Sequence, residues 1–382
     1  MDIIHDRRAG LDVHKKTVVV CVRHVTPEGA VAKQTRTFGT MTADLLELAD
    51  WLKAQDVRHA AMESTGVYWK PVWHILEATV ELTLVNARHM RQVPGRKTDV
   101  KDAEWIAQRL QHGLLSPSFV PPEPIRELRD LTRQRAQLIA EKSSVVNRIH
   151  KTFEDADIKL AAVATDILGA SGRAMLAQLI RGETDPERLA AEARGTLKKK
   201  ADALRKAWPG RVTEHHRFLL GMLWDHLVHL EDLIERCSVR ITEAMRPFEP
   251  AEARLMTIPG VGRQAAEVIV AEIGADMSRF PTAGHLASWA GLCPGNNTSA
   301  ERRESGRTTK GSPWLRTTLV QVAWAASHTK KTIFGATYRK LARRLGKKKA
   351  LVAVARKLLL LAYLLLKVQV DYQEPLQTEV AA

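Results

Sequence analysis

The chain has 382 residues, 45% of them hydrophobic and 26% charged, the balance of a soluble globular protein with room for two or three cores. Its three scattered cysteines, Cys21, Cys237 and Cys293, exclude a disulfide framework and a zinc-ligand pattern. No apolar signal segment opens the chain and the longest apolar run, Leu358–Leu366, is about half what a bilayer needs, so a cytoplasmic protein without a membrane segment is expected. The net charge of +15 sits in one place: residues 301–368 hold 17 Lys or Arg against Glu301 and Glu304, and the rest of the chain balances at 41 of each sign. Solubility alone does not require such crowding, and a basic block on a neutral body is the footprint of a polyanion binder.

In chain order, Arg8–Asp12, Thr17–Val25 and Val31–Phe38 read as three short strands, with Pro27-Glu28-Gly29 as a turn. Thr42–Ala54 carries Leu45, Leu46, Leu48, Ala49 and Leu52 at helical spacing, with Thr42 placed to cap it. His59–Glu63 is a strand, Ser64-Thr65-Gly66 a turn, Val67–Ala78 a helix and Val80–Val85 a strand. The alternation predicts an α/β domain. A basic loop, Asn86–Lys97, leads into a helix over Thr98–Gly113. Pro117, Pro121, Pro122 and Pro124 then mark a boundary, which ends a first domain at 118.

From Glu123 to about Phe153, Leu128, Leu131, Leu138, Ile139, Val145, Val146 and Ile149 predict a long amphipathic helix, suited to an antiparallel or intersubunit coiled coil. Further helices, among them His215–Met245, make 119–250 a helical spacer or oligomerisation arm. At 251–382 the texture changes. Ile258-Pro259-Gly260-Val261-Gly262, ahead of Ala265, Ala266, Val268 and Ile269, is a helix-hairpin-helix pattern. Gly260 and Gly262 would allow the tight turn and offer the next helix's free amides to a phosphate, although two closely packed helices use the same pattern.

Asp12 closes a buried strand, where an acid costs several kcal/mol unless a cation compensates it. Glu63 closes another. Asp99 and Asp102 stand three apart at a predicted helix start, on one face. Helix capping alone explains that pair. Four acids converging from separate elements of one α/β domain suit the chemistry of divalent-metal phosphoryl transfer. His14 beside Asp12 reads as a solvated turn residue next to Lys15 and Lys16.

Three runs, Gly10-Leu11-Asp12-Val13-His14-Lys15, Met62-Glu63-Ser64-Thr65-Gly66-Val67-Tyr68-Trp69 and Lys97-Thr98-Asp99-Val100-Lys101-Asp102-Ala103, closely resemble the DEDD transposases of bacterial insertion sequences. The C-terminal runs Ile258–Gly262 and Ala290-Gly291-Leu292-Cys293-Pro294-Gly295-Asn296-Asn297 resemble the second domain of the same proteins. The type is the insertion-sequence family numbered one hundred and ten. The resemblance implies an α/β N-terminal RuvC-like (ribonuclease-H-like) domain, a helical coiled-coil middle and a mostly α-helical C-terminal domain. It implies Mg2+ held by Asp12, Glu63, Asp99 and Asp102, and an RNA-guided DNA recombinase, nucleoid-associated in a bacterium. Its implied partners are donor and target DNA, a non-coding bridge RNA and further copies of the chain, as a dimer or tetramer. It also implies a serine that attacks DNA covalently, for which Ser299 is the counterpart by position. Glu301 stands where the family usually has Gly, which leaves Thr298 and Ser305 as further candidates.

Arg302, Arg303 and Arg307 flank that serine, and Lys310 and Arg316 come after them, in place to neutralise phosphate. Two other readings remain: a RuvC-like hydrolytic endonuclease, and a catalytically silent nucleic-acid-binding protein. An actin-type ATPase would need glycine and a hydroxyl residue where Val13-His14-Lys15 stand. Aromatics at 5% leave little for base stacking, and Trp69, Trp105, Trp289, Trp314 and Trp324, in apolar helical settings, are expected in the core.

Overall fold

The computed structural model describes residues 7–26, 29–64, 66–86, 102–294, 297–299, 302–305 and 308–374, with backbone alone at 297–299 and 302–305. They form two compact units, 1–120 and 121–382.

In the first unit, β1 (Arg7–Val13), β2 (Thr17–Val25) and β3 (Val31–Gly39) run antiparallel in turn, while β4 (His59–Glu63) and β5 (Glu81–Val85) lie parallel to β1 on its other side. The sheet order is β3-β2-β1-β4-β5. An antiparallel meander continued by parallel strands through helical crossovers is the ribonuclease-H-like arrangement expected from the sequence. Side chains alternate across the sheet. Ala9, Leu11, Val13, Ala60 and Met62 face one core, shared with α1 (Thr42–Ala54) and α2 (Trp69–Leu76). Ala61 and Val85 face the other, covered by Trp105, Ile106 and Leu110 of α3 (Asp102–Gln111). The backbone amide of Met41 bonds the Asp44 carboxylate at 3.2 Å, so Met41 rather than Thr42 caps α1.

The second unit opens with α4 (Glu123–Asp155), followed by the short helices α5 (Leu160–Val163), α6 (Ala170–Ile180), α7 (Pro186–Ala191) and α8 (Ala201–Ala207), and then by α9 (Glu214–Met245). Three contacts align α4 with α9: Cys237 Sγ to the Leu131 carbonyl at 3.3 Å, Lys142 to Glu231 at 2.7 Å, and His216 to Asp155 at 3.0 Å. As one partner number rises the other falls, so the pair is antiparallel within one chain. Its heptad-like residues Val145 and Ile149 are buried against Leu220 and Leu227 in one cluster. Burial acts to raise the Glu231 carboxyl, but the Arg173 guanidinium and the Lys142 ammonium outweigh it and hold the group below the usual carboxylate range.

Then come α10 (Glu249–Met256), α11 (Arg263–Ile273), α12 (Ala283–Trp289), the strands β6 (Asn297–Ser299) and β7 (Arg302–Ser305), and the helices α13 (Pro313–His328), α14 (Ile333–Leu345) and α15 (Lys347–Val368). Among the described residues no helix is long and apolar enough to cross a membrane. Trp105 is buried, while Trp69, Trp289 and Trp314 are half-buried. Trp324 departs from expectation: it is 59% exposed, because it lies on the face of α13 opposite Leu319, Val322 and Ala326.

Candidate active site

The acid site is assembled by sheet register. Leu11 of β1 pairs with Met62 of parallel β4, so the next residues, Asp12 and Glu63, stand level on neighbouring strands, about 4.8 Å apart. Leu11 and Met62 face the α1–α2 core, so Asp12 and Glu63 face the α3 side. There Gly10, two residues before Asp12, removes the obstacle a side chain would make. A Cβ on it would stand 2.1 Å from the Ala103 carbonyl oxygen and 2.3 Å from the Ala107 amide nitrogen. The first turn of α3 therefore lies directly on β1, and its first residue is Asp102.

Glu104 in the same turn is held elsewhere, by Arg23 at 3.1 Å and Lys33 at 3.0 Å, which pins α3 to β2 and β3. Three of the four predicted acids are thus gathered on one side of the sheet, each half-buried. Asp99 lies outside the described residues, as does most of the basic loop before it.

His14 is exposed, as read, but not idle: its Nε2 is 3.0 Å from Asp12 Oδ2. This pairing was not legible, because it depends on how tightly the turn after β1 folds back. An all-carboxylate donor set fits a hard divalent cation. Among the described residues no group of three or more His, Cys, Asp or Glu is close enough to hold an ion as it stands.

The serine of the second unit lies in a β-hairpin rather than an open loop. Asn297 pairs with Ser305, Thr298 with Arg303 and Ser299 with Arg302, and a bridge between Pro294 and Thr308 extends the ladder. Ser299 is the last residue of β6, at the hairpin tip, and Arg302 is its cross-strand neighbour. Of the three candidate hydroxyls it is the one nearest the tip; Arg307 lies outside the described residues.

At the hairpin's base two glycines let the chain cross itself. Gly291 has φ +67°, and a Cβ there would come within 2.5 Å of the Gly311 amide nitrogen. Ser312 then caps α13 through the Leu315 amide and donates 2.9 Å to Glu272, which is fully buried. Arg133 donates to both oxygens of Glu272 at 2.8 and 3.0 Å, and Arg129 to the carbonyls of Ala271 and Glu272 at 3.1 and 2.7 Å. Burial brings the Arg129 guanidinium down to about 10, against the pull of Glu272. Lys310 is exposed and Arg316 half-buried just beyond the hairpin.

In the helix-hairpin-helix the two glycines have different tasks. Gly260, at φ +87°, is pressed on α13, where a Cβ would meet the Ala326 amide nitrogen at 2.8 Å and the Val322 carbonyl oxygen at 2.9 Å. Gly262 is the N-cap of α11 and has open space beside it. Arg263 reaches Glu252 at 3.2 Å and Glu267 at 3.6 Å, and Arg135 reaches Glu267 at 2.5 Å.

A ribonuclease-H-like sheet with acids level on its central strands, joined to a basic helical unit, defines a DNA-processing enzyme. The comparisons with known proteins give its family. Residues 9–156 match the DEDD transposases of IS110 type, and residues 252–339 match the IS116/IS110/IS902 family of transposases. The chain belongs to the IS110 family of DEDD transposases, enzymes of DNA transposition and recombination. It is similar to the pilin gene-inverting protein of Moraxella bovis, 24% identical over 375 residues, covering 94% of this chain and 95% of that one. An uncharacterized 44.8 kDa protein of insertion element IS116 from Streptomyces clavuligerus is 29% identical over 263 residues, 60% of this chain and 62% of that one. A Thermus thermophilus RuvC structure covers 29% of this chain and 99% of its own, at 13% identity and TM-score 0.23.

Proposed function

We propose that the chain is an RNA-guided DNA recombinase of an insertion sequence, cutting and rejoining donor and target DNA through an acidic Mg2+ site and a serine nucleophile. The observation that carries this reading is the register that sets Asp12 level with Glu63, on the side of the sheet where α3 begins with Asp102. Nucleases of the DEDD and RuvC type generally work with divalent metals; here Asp12, Glu63 and Asp102, with Asp99, would hold Mg2+, which supplies Lewis-acid stabilisation of phosphate charge. His14 would orient the Asp12 carboxylate through its 3.0 Å contact.

In the serine step the Ser299 hydroxyl attacks the scissile phosphorus. A Ser–O–P bond forms, the bond from phosphorus to one deoxyribose oxygen breaks, the serine proton passes to a base, and the leaving oxygen takes up a proton from water to depart as a free hydroxyl. Arg302 and Arg303, with Arg307, would neutralise the phosphate charge. The covalent link conserves the bond energy for rejoining. The helical region 119–250 would join copies of the chain, so that acids and serine meet in the assembled oligomer. A bridge RNA that pairs with both DNAs would carry the sequence choice, leaving the basic block at 301–368, with Gly262, Lys310 and Arg316, to hold backbone.

The test is a denaturing-gel assay for protein–DNA adducts with Mg2+, element-end DNA, target DNA and the element's non-coding RNA. A protease-sensitive adduct is expected from the unaltered protein and from neither Ser299→Ala nor Asp12→Ala. Cleavage without an adduct, unchanged in Ser299→Ala, would replace the serine recombinase by a hydrolytic nuclease. Adducts formed equally well without RNA would remove the guide.

A further inference from the structure

The exposed face of α13 carries more than one misplaced tryptophan. Thr317, Gln321, Trp324 and His328 are all exposed and succeed one another at spacings of four, three and four, which makes a single stripe along the helix. At its C-terminal end the Trp324 ring centroid lies 4.6 Å from that of His328, and His328 lies 6.5 Å from Tyr338 of α14. The imidazole is fixed in place, with Nδ1 2.8 Å from the Trp324 carbonyl oxygen and 3.1 Å from the Ser327 hydroxyl. At the other end Thr317 and Gln321 line a groove of about 810 Å³ together with Gly262 and Trp314. The stripe therefore runs from the open N-terminus of α11 to a ladder of three rings.

One exposed aromatic residue on a surface is ordinary. Three rings in sequence beside a cluster of cations are not, even with Glu374 brought to the start of α14, where it accepts from the Ile333 amide and the Tyr372 hydroxyl. From Ser305 to Val370 the chain has no Asp or Glu. Lys330 and Lys331 form the turn between the helices that carry the rings, with Lys331 at φ +58°, and Arg339 and Lys340 come directly after Tyr338. All four cations are exposed, and Lys330, Lys331 and Arg339 are the ones on the side of the rings, because Lys340 lies about 200° round α14 from Tyr338. A surface that offers aromatic rings beside exposed cations complements a polyanion whose bases are unstacked. A duplex hides its base faces, so the occupant must be unpaired.

We infer that the Trp324–His328–Tyr338 ladder is a stacking platform for unpaired bases of a DNA strand, whose phosphates are held by Lys330, Lys331 and Arg339. The assignment to DNA rests on the family's class of reaction and not on the RNA guide, the acids or Ser299. Strand exchange requires a displaced strand to be held somewhere, and this platform would hold it without reading its sequence.

The experiment uses the full-length protein in EDTA, so that binding is read apart from cleavage. Anisotropy is measured with labelled oligothymidylate of about 20 nucleotides, with oligouridylate and with a duplex of equal length. Trp324→Ala and His328→Ala are each expected to weaken oligothymidylate binding by roughly 10- to 100-fold and duplex binding by less than about twofold, while Trp324→Phe retains most of the affinity. Iododeoxyuridine in the strand should crosslink to the peptide holding Trp324. Should Trp324→Ala lower the melting temperature, Trp324→Gln, which keeps bulk without a ring, replaces it. Equal losses on single strand and duplex, or no loss, would overturn the platform. A Trp324-dependent affinity for oligouridylate alone would overturn its assignment to DNA. None of these outcomes depends on an adduct forming, so failure of the recombinase reading remains separable.

Discussion

Gly10 decides how closely α3 lies on β1, on the side of the sheet that carries the acids. In a strand interior a glycine ordinarily weakens the structure. Here its missing side chain is the space occupied by the Ala103 carbonyl and the Ala107 amide of α3. Both are backbone atoms of a helix, so neither can swing aside. Gly10→Ala is expected to shift α3 and carry Asp102 away from Asp12, with overpacking of about 1–3 kcal/mol and a loss of cleavage of roughly 100-fold for a displacement near 1 Å. Cleavage assays and thermal melts check this together. Asp12→Asn should abolish cleavage while leaving the melting temperature close to that of the unaltered chain. Asp12 and Glu63 were legible as acids at the ends of apolar strands. Gly10 was not, because its partner atoms lie more than ninety residues away, at 103 and 107.

Among the elements, the buried Glu272 of α11 ties α4 to the start of α13. It accepts from Arg133 of α4 and from Ser312, which also caps α13 just after the serine hairpin. Removing one member of a buried ion pair leaves its partner charged and unsatisfied. Glu272→Ala is expected to destabilise the second unit by roughly 3–5 kcal/mol, measured by denaturant unfolding. The antiparallel α4–α9 pair gives an independent pH signature through Glu231. Its carboxyl is held below the ordinary value of 4.5, so its contribution is present above that pH and is lost as pH falls through the lower, folded-state value. Melts between pH 6 and about pH 3 should show the loss, and Glu231→Gln should flatten it. The long helices were legible from their periodicity. Their pairing within one chain was not, because the same apolar stripe serves an intersubunit coiled coil equally well.

At the scale of the whole molecule, charge segregation is the most visible feature of the sequence, and its effect is measurable. Lys347, Lys348 and Lys349, all exposed at the start of α15, belong to the basic block. If each contacts a phosphate, replacing all three with Gln should lower the slope of log K against log salt for duplex binding by about 2.7. An unchanged slope would mean that this corner stays off the DNA.

Composition, the segregated charge, the alternation of strands and helices, and the placement of Asp12 and Glu63 at strand ends are local properties, and the sequence by itself determined them. With the motifs around the acids they were enough to assign the family. Register, face and exposure are properties of contacts between distant residues, and only the tertiary structure decided them. It set Asp12 level with Glu63 through the β1–β4 pairing and drew the Ser299 stretch into a hairpin closed by Gly291 and Gly311. It also turned Trp324 outward. An apolar stretch such as Leu315–Ala326 states that a helix has a buried side. Which of its large residues is left on the other side depends on the neighbours that cover it.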